Sequence, residues 1–154
     1  MLANCFSLVN LPLLIKGGLF VATMLEASII DIKKRMIPDT FCVAVALTGL
    51  ILFEPVKLFG ILVALPFLLA ALLWGGMGGG DIKLTAAAGI VLGLKAGIAA
   101  VVIGLTSMLL FYIAYSMFQR LRGKECQKAM PLAPFLSIGC IFIYFACVLG
   151  GITL

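Results

Sequence analysis

The sequence predicts an all-α integral membrane protein, with about six transmembrane helices in one polytopic bundle. Composition is the first observation behind this. Of 154 residues, 64% are hydrophobic and only 11% charged, whereas a soluble domain is nearer half apolar and a quarter charged. Mean hydropathy is +1.30. The second observation is that the apolar residues fall into helix-length runs separated by short stretches of proline, glycine and charge. The third is an uneven split of Lys and Arg between the two sides that a six-span path defines. Residues 1–154 are read as a single transmembrane domain with no stretch long enough for a separate soluble one. No basic n-region precedes the first apolar run, so a secretory signal peptide is not expected.

Taken in order, Met1 to Ile15 is apolar but broken by Asn4, Asn10 and Pro12, and either starts the first span or lies at the interface. Lys16 sits awkwardly inside a long helix, which places the start of the first span near Gly17. That span ends near Ile30 and empties into Lys33, Lys34 and Arg35. Pro38 opens the next element, as proline does at a first helical turn. The second span is Thr40 to Phe53. The third is Leu58 to Trp74, with a kink at Pro66 and Trp74 at the interface. Ile82 to Leu94 is the fourth, followed by a tight turn at Lys95-Ala96-Gly97. Gly97 to Phe118 is the fifth. Pro131 and Pro134 introduce a sixth, Phe135 to about Leu154.

On this path the loops after spans one, three and five hold eight of the eleven basic residues: Lys33, Lys34, Arg35, Lys83, Arg120, Arg122, Lys124 and Lys128. Lys16, Lys57 and Lys95 fall on the other side. The positive-inside rule puts the eight in the cytoplasm. It also explains the net charge of +5, so the expected surroundings are a lipid bilayer and nucleic acid is not expected. The five cysteines, Cys5, Cys42, Cys126, Cys140 and Cys147, form no CxxC pair, and there is no histidine. This argues against a zinc site and a Cys/His dyad; neither metal nor cofactor is expected, and the cysteines read as small apolar filler.

Two acids stand out against this background. Five glycines in six residues end on Asp81, in the stretch WGGMGGGDIKL, Trp74 to Leu84. Glycine costs the most backbone entropy to order, so the cluster points to unusual dihedrals or a close approach. Asp31 closes the first apolar run at the head of DIKKRMIPD, and an acid in an apolar segment is a functional-site hypothesis. Both fall on the side assigned to the cytoplasm. The fourth run has thirteen residues and spans only about 20 Å of a roughly 30 Å core. Asp81 and the glycine loop Gly78, Gly79 and Gly80 are therefore expected below the membrane surface, as irregular backbone around a wet pocket.

Two carboxylates facing one pocket cannot both ionise easily, so one holds a proton while the other takes one from water. Such a pair can activate water against a peptide carbonyl and protonate the leaving amine. Seryl, cysteinyl and metallo mechanisms lack their partners in a chain without histidine. The competing structural roles are a helix end beside basic residues for Asp31 and an N-cap for Asp81. The loop is no phosphate cradle, since it lacks GK[ST] and GxGxxG fails. Lys83, two residues from Asp81, points elsewhere in a helix and reads as an orientation charge. Ser28 shares the face of Asp31 or serves a helix contact, and Glu26 has no obvious partner. Asp81, Thr85, Gly89, Gly93 and Gly97 recur at i, i+4 and offer one close-packing stripe.

These residues resemble the type IV prepilin peptidases, GxGD-type aspartyl proteases of the membrane. Asp31 with Pro38 and Asp39 matches the D-x6-P-[ND] pattern of that family. Gly78, Gly80, Asp81, Lys83 and Leu84 match GxGDxKL, and MPLAPFLSIG, Met130 to Gly139, is similar to the stretch opening the family's last span. The resemblance implies an aspartic endopeptidase of the cytoplasmic (inner) membrane that cleaves the short basic leader of prepilins or pseudopilins. Asp31 and Asp81 are its implied catalytic residues. Larger members carry a cytoplasmic loop with paired cysteines and also methylate the new N-terminus. Here about six residues follow Asp31 before the next span, with no CxxC. The chain thus resembles the minimal, peptidase-only form without a methyltransferase domain. A presenilin-like intramembrane protease and a non-enzymatic subunit carrying protons or cations are the other readings of two intramembrane acids.

Overall fold

The computed structural model describes residues 11–34, 36–51, 54–74, 78–122 and 131–149. The expectations for residues 1–10, Arg35, the glycines at 75 and 76, Cys5, Cys126, Lys124, Lys128 and the C-terminal end of the last span lie outside them. Among the described residues there are six α-helices and one 3-10 helix. They are α1 (Leu11–Lys34), α2 (Asp39–Leu50), a 3-10 helix (Pro55–Ala64) running into α3 (Leu65–Trp74), α4 (Gly79–Leu92), α5 (Leu94–Leu121) and α6 (Ala133–Leu149).

The punctuation works as the residue chemistry dictates, with several shifted boundaries. Pro38, in extended conformation, is the residue before α2. The change from 3-10 to α geometry falls at Leu65 and Pro66, where a kink was expected. The first described helix runs from Leu11 rather than from near Gly17, and Lys16 lies inside it with 1% exposure. The turn between the fourth and fifth helices is at Gly93, not at Lys95-Ala96-Gly97. Gly93 takes φ +82° and ψ 173°, a region essentially reserved for glycine. That break also ends the i, i+4 stripe, because Gly97 belongs to the next helix.

Packing is organised around α4. It lies against the 3-10 helix, α2 and α5, while α1 packs on α2 and α6, and α5 on α6. The tightest approach is between Gly60 and Gly89, where a Cβ on either would run into the other's backbone carbonyl. Phe20, Met24, Val45, Leu84, Val91 and Leu136 form the centre of the core. Large apolar side chains also cover the outside, with Leu72 and Leu73 more than 70% exposed, as in a protein whose solvent is lipid. Two described helical stretches are long and apolar enough to cross a membrane, Pro55–Leu73 and Leu94–Gln119. The apolar helices α2 and α6 are shorter.

Candidate active site

Asp31 lies in the last turn of α1 and is buried, with 6% exposure. This is an unfavourable place for an acid, since the carbonyl end of a helix carries partial negative charge. Another helix compensates. The backbone N–H of Ala133, the first residue of α6, donates to Asp31 Oδ2 at 3.1 Å. The first turn of any helix leaves N–H groups without intrahelical partners. Pro131 and Leu132 precede α6 and supply no polar cap, so Asp31 caps α6 from across the bundle. One turn below, Ser28 Oγ and Ser137 Oγ lie 2.7 Å apart. Ser28 therefore serves the α1–α6 contact, and both serines are buried.

Asp81 is the third residue of α4, in the first turn of a helix whose N-cap position is Gly78. The dipole favours a carboxylate there. Gly79 and Gly80 are helical rather than irregular loop, so the local geometry differs from the one expected. No positive φ is involved, because among the described glycines only Gly93 has one. Two of these glycines have distinct steric settings. Gly79 has open space where a Cβ would project, whereas a Cβ on Gly80 would meet Ile37 Cβ at 2.9 Å, with the Ile37 backbone at 3.3–3.4 Å. The glycine segment is thus pressed onto the segment that follows Asp31. Cys42 Sγ, 3.8 Å from the Gly80 carbonyl, adds a second contact from α2.

The two acids come into electrostatic range of each other, as the charge of Asp31 acts on Asp81. Asp81 is half-buried, and its Oδ1 is sealed from solvent without a hydrogen-bond partner among the described residues. Its backbone carbonyl accepts from Thr85 Oγ1 at 2.7 Å, which anchors the first turn. The arrangement is asymmetric: one carboxylate is hydrogen-bonded at a helix N-terminus, and the other has an oxygen sealed without a partner.

Lys83 also ties the two segments together. Its Nζ donates to Asp39 Oδ1 at 2.7 Å and Oδ2 at 2.8 Å, with both side chains exposed. Sequence reasoning read Lys83 as an orientation charge and missed this pair; the signal was that both residues sit in the matched motifs. Beside it opens a groove of about 420 Å³ whose wall includes Cys42, Ala46, Ala87 and Ile90. If the pair holds the two segments in register, Asp39→Lys should lower stability slightly in thermal melting, on the small scale of an exposed ion pair. The exchange Asp39→Lys with Lys83→Asp should recover most of the loss in the same measurement. Equal defects in the single and exchanged forms would show that only the individual side chains matter.

Pro38 is exposed just ahead of α2, and Glu26 is exposed on α1. Comparison with curated proteins and with solved structures returns no match. The profile of the type IV leader peptidase family matches residues 18–154, a range that contains both acids, the glycines before Asp81, the Asp39–Lys83 pair and the helix that Asp31 caps. The chain belongs to the type IV leader peptidase family.

Proposed function

We propose that this chain is a prepilin leader peptidase, an aspartic endopeptidase whose two working carboxylates are Asp31 and Asp81. The observation that carries the proposal is the convergence of these acids, fifty residues apart in sequence, into electrostatic range. Their asymmetric settings suit different tasks. Asp31, held by the N-terminus of α6, is the base that takes a proton from water. The water oxygen adds to the carbonyl carbon of the scissile peptide. Asp81, whose Oδ1 is sealed without a partner, carries the proton and passes it to the leaving amine. Afterwards Asp31 holds the proton and Asp81 the charge, and one exchange with water restores the pair.

The substrate class is a prepilin or pseudopilin with a short basic leader before an apolar helix. The bundle passes the membrane six times as one peptidase domain, with the acids towards the cytoplasm. The distribution of basic residues supports this orientation. Reporters fused near Lys33 and between residues 123 and 130 are expected to read cytoplasm, and those near Lys57 and Lys95 the opposite side. A cytoplasmic signal at Lys57 would overturn the six-span path. The activity itself is tested with the full chain in proteoliposomes and a prepilin-type substrate. Cleavage at the leader boundary is expected, and no cleavage by protein with an intact melting transition would overturn the proposal.

A further inference from the structure

Three lysines gather at the end of the bundle away from the two acids. Lys16 is fifteen residues before Asp31 on α1, about 22 Å away at roughly 1.5 Å per residue. Gly93 follows Asp81 by twelve residues, about 18 Å by the same measure. Lys57 is buried at 7% exposure and lies against Gly93, where an added Cβ would stand 3.7 Å from its Cγ. Lys16 is 1% exposed and within electrostatic range of Lys57 and Glu54. Lys95, exposed at the start of α5, shares a cavity of about 610 Å³ with Lys57 and Glu54.

The charges here do not balance. Among the described residues three ammonium groups face one carboxylate, and that of Glu54 is 60% exposed and 3.5 Å from Lys57 Nζ. A well-formed charge-assisted hydrogen bond is nearer 2.7–2.9 Å, so Lys57 retains capacity for another acceptor. Burying ammonium groups without a matching anion is costly. The rest of the wall is mainly apolar, including Phe59, Leu92 and Ile143, and Phe59 is 62% exposed on the outer surface of the bundle. The cavity falls within the roughly 300–1,000 Å³ of ligand sites. A free anion would satisfy the lysines and leave this wall wet. An apolar chain alone would leave the lysines unbalanced.

We propose that this cavity binds an anionic phospholipid, with the phosphate held by Lys57 and Lys95 and an acyl chain along the Phe59–Ile143 wall. Lys16, within electrostatic range of Lys57, adds attraction, and Glu54 orients Lys57. The site is separate from the two acids, so its test reads binding and is independent of leader cleavage.

The experiment is native mass spectrometry of the full chain in detergent, titrated with phosphatidylglycerol, phosphatidylcholine or inorganic phosphate. Phosphatidylglycerol is expected to be retained about tenfold more tightly than phosphatidylcholine, and inorganic phosphate not at all. Lys57→Gln should lose about tenfold in phosphatidylglycerol affinity, the scale of one charge-assisted hydrogen bond. Because Lys57 is buried, Lys95→Gln provides a second reading on an exposed residue and should lose the same preference. Lys33→Gln, on the exposed far end of α1, should leave it unchanged. Equal retention of the two lipids, retention of phosphate alone, or unchanged preference in a folded Lys57→Gln or in Lys95→Gln would overturn the assignment. An equal loss in Lys33→Gln would reduce it to general attraction between a basic protein and an acidic lipid.

Discussion

Asp31→Asn and Asp81→Asn are each expected to reduce leader cleavage by at least about 10²–10⁴-fold, the scale of a lost general acid or base. Single-turnover cleavage in proteoliposomes is the measurement. The two groups act on one water and one peptide, so the double mutant should be no slower than either single. Stability separates the sites where activity does not. At position 31 asparagine keeps an oxygen that can accept from the Ala133 N–H, so α6 stays capped. Asp31→Ala removes the acceptor and leaves a buried N–H unpaired, at about 1–3 kcal/mol. Asn and Ala at position 31 should therefore be equally inactive but melt at different temperatures. At position 81, Oδ1 has no partner to lose, and Asp81→Asn should melt no lower than the parent. Substantial turnover by either single asparagine variant would end the two-carboxylate mechanism.

Much of this site was legible because its signals are local. An acid at the end of an apolar run, a proline seven residues on and glycines crowding a second acid can all be read along the chain. The helical class followed from composition, and the order of the helices from proline, glycine and charge. Signals that depend on the fold were not legible. Nothing in the sequence around Asp31 says that its partner is the N–H of Ala133, about a hundred residues away. The one clue was negative: Pro131 and Leu132 leave α6 without a polar cap. Lys16 was read as a barrier to helix, because a lone charge in an apolar run is costly. The structure instead buries it near Lys57 and Glu54. Helix boundaries moved for a similar reason. The glycines before Asp81 read as a loop by propensity, yet Gly79 and Gly80 open α4, and Gly80 is pressed onto Ile37.

Gly80→Val is expected to lose cleavage almost as fully as the asparagine variants, by about 100-fold or more. The sequence alone suggested two reasons, an unusual dihedral or a close approach. The structure shows the second. Gly80 is helical, and its missing Cβ leaves room for Ile37, which a side chain would meet at 2.9 Å. Part of what a side chain would meet is the Ile37 backbone, so the strain cannot relax by a rotamer change alone. Either α4 or the 36–38 segment must shift, and each leads directly to one of the two acids. A displacement of about 1 Å between reacting groups can cost on the order of 100-fold, so the loss should fall on turnover, with membrane abundance near normal. Gly79→Ala is the matched control. It is also helical, its Cβ would project into open space, and alanine favours a helix by about 0.8–1.0 kcal/mol over glycine. Turnover within about twofold of the parent is expected for it, well inside the 100-fold scale of a misplaced group. The steric argument also predicts partial rescue, since Ile37→Gly removes the nearest atom. Gly80→Ala with Ile37→Gly should therefore turn over faster than Gly80→Ala alone, despite the lost apolar side chain. Normal turnover in folded Gly80→Val would show that contact with Ile37 does not set the spacing of Asp31 and Asp81.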